Sequence, residues 1–163
     1  MQPAQAGFDR HCDLELRGDG GRLELALDET WQGTVLTQRL AIGAPSNPLW
    51  SVVARGAPAQ GASRVTQVGT TPAGASEHLA YTLGNCAGPV CGNHDVVVVG
   101  ESGGSIRELH RERLGRGGGF VLRAGRLVLQ DGAMERSYGW DGTDYRLVEV
   151  RQRPPATASP APR

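Results

Sequence analysis

Lysine is absent: all 17 basic residues of the 163-residue chain are arginine. With abundant Ala, Gly and Pro, that absence reads as the codon usage of a GC-rich bacterial genome rather than a demand for guanidinium chemistry, so it excludes little about activity. Net charge is absent too. The arginines balance 17 acidic residues, which leaves the molecule no overall electrostatic reason to seek nucleic acid or an anionic membrane. No apolar run approaches the ~18 residues of a membrane-spanning helix. Residues 1–10 lack the basic and apolar regions of a signal peptide, although Ala4-Gln5-Ala6 has the small-x-small pattern of a cleavage site inside a longer precursor. With three cysteines, the second short Cys pair that would complete a structural zinc site is missing. No residue pattern calls for a cofactor.

Glycine is what the chain has instead. Its 24 glycines are about twice the ~7% usual share, which suits many tight turns better than long helices. The run from Ser137 to Val148 shows the pattern: Tyr138, Trp140, Tyr145, Leu147 and Val148 flank Asp141-Gly142, where Gly takes positive φ without a Cβ clash. Leu14–Arg17 and Arg22–Leu27 alternate apolar with polar around Gly18-Asp19-Gly20-Gly21, and Phe120–Leu122 meets Leu127–Leu129 across a second turn. Thr34–Ile42, Leu49–Ala54, Arg64–Val68, His78–Leu83 and Asp95–Val99 read as further strands. The four consecutive valines of the last imply burial on both faces and a central position. Segments 55–63 and 69–76, rich in Gly, Ala and Pro, read as mobile surface loops. Residues 105–114 are ambiguous, because Ser105 and Glu108 match a helix capping box while Ser102-Gly103-Gly104 suits a hairpin turn. The hairpin is favoured. The expectation is a single antiparallel all-β domain, a meander or sandwich over residues 8–150 with at most one short helix at 105–114. A flexible N-terminus (1–7) and a Pro-rich disordered tail (151–163) flank it.

Gly100-Glu101-Ser102-Gly103-Gly104 fits the Gly-x-Ser-x-Gly nucleophile elbow, whose glycines permit a strained turn that exposes the hydroxyl. Its partners do not follow in order: a hydrolase of that class needs an acid and then a His, but only His110 comes later, ahead of Asp131, Asp141 and Asp144. The same residues resemble the Gly-Asp-Ser-Gly-Gly of chymotrypsin-like proteases, and His11-Cys12 resembles that family's His-Cys pair. The stretch before His11 is too short for that family's first strands. A small serine hydrolase using Ser102 is therefore the runner-up to a plain glycine turn. Cys86, Cys91 and His94 could supply three zinc ligands, with Cys12, His11 or His110 as the fourth, in a cytosolic metal protein. Ala87-Gly88-Pro89-Val90 can instead turn tightly enough to join the two sulfurs, and a disulfide is favoured over free thiols. Cys12 would then stay unpaired as a small buried residue. The single Arg-Gly-Gly at 116–118, the Arg17-Gly18-Asp19 tripeptide and the acidic stretch Asp19–Glu24 read as turns rather than as sites for RNA, integrin or calcium.

The ending Tyr138, Trp140-Asp141-Gly142 and Tyr145-Arg146-Leu147-Val148 resembles the terminal hairpin of uncharacterised exported bacterial β-rich proteins, some with propeller-type repeats. This resemblance implies a β fold and an extracytoplasmic setting (periplasm, envelope or secreted), with a cytoplasmic one as the alternative. It implies no activity. Upstream, no repeat period stands out. The expected role is a non-catalytic binding module with a protein or glycan partner. Its contact residues are the exposed aromatics Trp140 and Tyr145, or Arg107, Arg111 and Arg113 from a local excess of six Arg over Glu108 and Glu112 between 107 and 126. The competing reading of the aromatics is a cross-strand pair that covers the core.

Overall fold

The computed structural model describes residues 10–152 apart from 45, 88, 89 and 124. The readings made for residues 1–7, for Ala4-Gln5-Ala6 and for 153–163 lie outside the described residues. Tight turns between alternating runs dictate a meander, and the chain forms three of them in succession. The first antiparallel sheet holds β1 (Arg10–Gly18), β2 (Gly21–Gln32), β3 (Val35–Ala44) and β4 (Asn47–Gly56). The second holds β5 (Ala62–Ala73), β6 (Ser76–Ala87), β7 (Val90–Ser102) and β8 (Ser105–Leu114). The third holds β9 (Gly119–Arg123), β10 (Arg126–Asp131), β11 (Met134–Trp140) and β12 (Tyr145–Gln152). Each strand pairs with its sequence neighbour, and no strand changes sheet. Apart from a single 3-10 turn at Pro58–Gln60, the described residues contain no helix, so no helix is long and apolar enough to cross a membrane.

The ambiguity at 105–114 resolves as a strand. Gly103 and Gly104 take φ of 63° and 83°, the two successive positive values that a tight hairpin turn requires, and Ser102 pairs with Ser105 across it. The second sheet is the middle layer of the stack. One face carries Leu79, Tyr81, Val97 and Val99 into a core with Leu16, Leu25, Leu40 and Ile42 of the first sheet. The other face sends Ala80, Val96, Val98 and Leu114 against Phe120, Leu127, Leu129 and Tyr138 of the third. Val96 to Val99 are all 0% exposed, which is the central burial their run implies. A period-2 strand thereby serves two separate cores.

Two segments depart from expectation. Residues 69–76 are almost wholly strand: β5 runs to Ala73 and β6 starts at Ser76, with Ser76 Oγ donating to the Ala73 carbonyl at 3.1 Å across the turn. Tertiary contact overrides the weak local propensity, since Gln67 Nε2 donates to the Phe120 carbonyl at 2.6 Å and Gly69 lies against the Phe120 ring. Pro72 is tolerated because β5 is an edge strand. At the other end of the chain, Arg151 and Gln152 belong to β12 rather than to a tail.

Candidate functional site

Trp140 and Tyr145 face each other across the β11–β12 hairpin, ring centroids 5.0 Å apart, and both lie against His78 of β6. His78 Nδ1 and Tyr145 Oη form a 2.6 Å hydrogen bond, and Trp140 meets the imidazole edge-on at 4.6 Å. The imidazole is 2% exposed and fits because its neighbour on β7 is Gly100, where any Cβ would overlap the ring. Burial pushes its pKa down to about 4, against a weaker opposing pull from Asp19, so His78 is neutral at ordinary pH. Burial also holds the Tyr145 phenol well above its ordinary range. The aromatics therefore fasten the third sheet to the second, as a covering cross-strand pair does. The same seam continues through β8. Glu112 accepts from Tyr138 Oη at Oε1 and from Arg136 Nε at Oε2, each at 2.6 Å, while His110 Nε2 lies 3.3 Å from Oε1. From sequence, His110 was weighed only as a metal ligand or a hydrolase base and Tyr138 only as a hairpin residue, and His78, Glu112 and Arg136 were missed. The one signal was His78, which shares the inward face of β6 with Ala80.

Arg107, Arg111 and Arg113 do not converge. A bulge between Val98 and Val99 in the β7–β8 pairing puts Arg107 on the third-sheet side and Arg111 and Arg113 on the first-sheet side. Arg111 donates to Asp95 at 2.9 Å and to Glu108 at 2.8 Å, and Arg113 donates to Asp95 at 3.0 Å. Arg107 Nη2 donates to Ser102 Oγ at 2.8 Å. No imidazole bonds Ser102 among the described residues, so a guanidinium rather than a base faces its hydroxyl. Cys86 and Cys91, directly opposite on β6 and β7, are joined by a disulfide with an S–S distance of 2.02 Å. Their sulfurs are therefore not thiolate ligands. Cys12 is exposed on β1, not buried: it lies toward the strand end beyond Leu14, itself 46% exposed, and away from the buried Leu16. His94 is buried over Gly84 with Nδ1 unpartnered, and the described residues contain no group of three or more His, Cys, Asp or Glu arranged to hold a metal.

Three concavities open elsewhere among the described residues, and one of them combines an aliphatic wall with bare backbone. A crevice of about 450 Å³ sits at one end of the first and second sheets, between the β1–β2 and β7–β8 turns. Leu23, Leu49 and Ile106 give it an aliphatic wall, Gly20, Gly21 and Gly104 leave backbone bare on its rim, and Arg22 and Glu101 supply charge. No family model matches this chain, and no curated protein matches it. Leu49 is 59% exposed, a large apolar side chain left open at its mouth. Glu101 pairs with Ile106 across β7–β8 and makes no hydrogen bond or ion pair among the described residues. Its carboxylate lies over Gly18, whose missing Cβ leaves the room it occupies.

Proposed function

We propose that the protein is a non-catalytic binding module of the extracytoplasmic space, holding an extended segment of a partner protein in the crevice between the two glycine turns. The observation that carries this reading is the crevice: its volume falls within the several hundred Å³ typical of ligand sites, and aliphatic side chains line it beside exposed backbone. Sugar-binding surfaces use aromatic platforms. The lining of this crevice includes no aromatic residue, which favours a peptide side chain over a glycan. The Cys86–Cys91 disulfide supports an oxidising compartment. The aromatics Trp140 and Tyr145 are poorer contact candidates, since the packing against His78 occupies them.

The test is selection of displayed random peptides on the native protein, followed by comparison with Ile106→Asp and Leu49→Asp. Enriched peptides should lose binding to both variants; the melting temperature should stay close to wild type for Leu49→Asp, at an exposed position, and fall for Ile106→Asp, which packs against the first core, with the far-UV spectrum of both retained. Peptides that bind the variants as well as the native chain would place the contact surface outside the crevice and end this reading.

A further inference from the structure

We propose that the crevice selects an extended segment in which a basic side chain and an aliphatic one lie two positions apart, with Glu101 receiving the cation. This rests on the crevice being the binding surface. Two charged side chains line it, and they are not equivalent. Arg22 Nη1 is tied to Glu15 Oε2 at 2.9 Å, so its charge is already matched. Glu101 has no such partner among the described residues. Arg107, two positions along from Ser105, is turned to the opposite face of the sheet and donates to Ser102.

An unmatched carboxylate on the rim of an aliphatic wall is half-buried, so part of its hydration is lost without return. A guanidinium or ammonium group restores that loss through a charge-assisted hydrogen bond. The register fixes what must lie beside the cation. Glu101 and Ile106 are directly opposite in the β7–β8 ladder, which puts their Cβ atoms about 5 Å apart. Side chains two positions apart on an extended ligand share a face, and they match Glu101 and Ile106 only if one is basic and the other aliphatic. An acidic ligand meets repulsion from Glu101, and a wholly apolar one leaves it unpaired.

Methyl and amide NMR titration of the oxidised full chain with two defined peptides tests this: acetyl-Gly-Arg-Ala-Leu-Gly-amide and acetyl-Gly-Glu-Ala-Leu-Gly-amide. The Arg peptide should shift the Leu23, Leu49 and Ile106 methyls and the Glu101 amide, with affinity about fivefold above that of the Glu peptide. Glu101→Gln should erase that ratio and keep the methyl shifts, while Ile106→Asp should abolish both. Equal affinity of the two peptides for the native chain overturns the charge selection and leaves the crevice reading standing. Absence of any crevice shift with either peptide at millimolar concentration overturns both.

Discussion

Lowering the pH from 7 to 5 should cost the fold about 2 kcal/mol through one side chain, His78. The imidazole is neutral and buried in the native seam, with a pKa near 4 set first by burial, against 6.5 in the unfolded chain. A depressed His pKa means that the unfolded state takes up the proton first. Stability is therefore full above pH 6.5 and falls as the pH drops toward 4, by up to about 1.4 kcal/mol per pH unit. Between pH 7 and 5 this amounts to about 2 kcal/mol, or a fall in melting temperature of roughly 5 °C for a domain of this size. His11 works in the opposite sense: the hydrogen bonds it donates to Asp28 and then to Asp13 raise its pKa, so its contribution is present at low pH and lost as pH rises. The measurement should therefore be made in a His11→Asn background. Asp141 does not interfere, because the Asp144 backbone N–H, then Arg146, hold it near 2, below the window. Chemical denaturation of His78→Gln, which keeps a polar partner for Tyr145 and cannot take up the proton, supplies the reference. Its stability should change about 2 kcal/mol less than that of its parent between pH 7 and 5. Parallel pH dependence of the two proteins would refute the assignment of a buried neutral His78.

Gly100→Ala should destabilise by about 1–3 kcal/mol in urea denaturation, because the added Cβ meets the His78 ring, while Gly20→Ala, in open space, should cost well under half of that. Reducing the disulfide, or replacing Cys86 and Cys91 with Ser, should cost about 2 kcal/mol or less and leave a single cooperative transition, since the closed ring is short; a multi-step melt would count against this. A fluorophosphonate probe should leave the native protein unlabelled, and Ser102→Ala should shift stability by no more than about 0.5 kcal/mol. Labelling of Ser102 that disappears on unfolding would make the hydrolase the leading reading.

The strands were legible because their cause is local. Alternation in Leu14–Leu27 and the Gly-rich turns at 18–21, 103–104 and 142 specify hairpins without reference to anything distant. The Val96–Val99 run even announced a doubly buried strand. It did not announce two cores, because alternation says which residues share a face and not which sheet that face will meet. Segment 69–76 was misread for the same reason: Gly69, Pro72 and Ala73 are weak strand formers, and β5 is held by contacts of Gln67 and Gly69 with Phe120, about 50 residues away. The arginines were misgrouped because a one-residue bulge at Val98/Val99 sends Arg107 to the other face, and a bulge leaves no mark in a charge pattern. The crevice needs residues 20–23, 49 and 101–106 together, a juxtaposition that only the packed sheets create.

The account turns on one doubly buried sheet that organises the other two and so sets the two turns around the crevice. Native-state hydrogen exchange by NMR tests this most directly. The amides of Val96 to Val99 and their β6 partners Leu79 to Thr82 should exchange slowest of all, with an opening free energy equal to that of global unfolding in denaturant. The exposed edge strand β12 should exchange by local opening at lower cost. Valine amides that exchange as fast as those of β12, or a slow core confined to the first or third sheet, would contradict it.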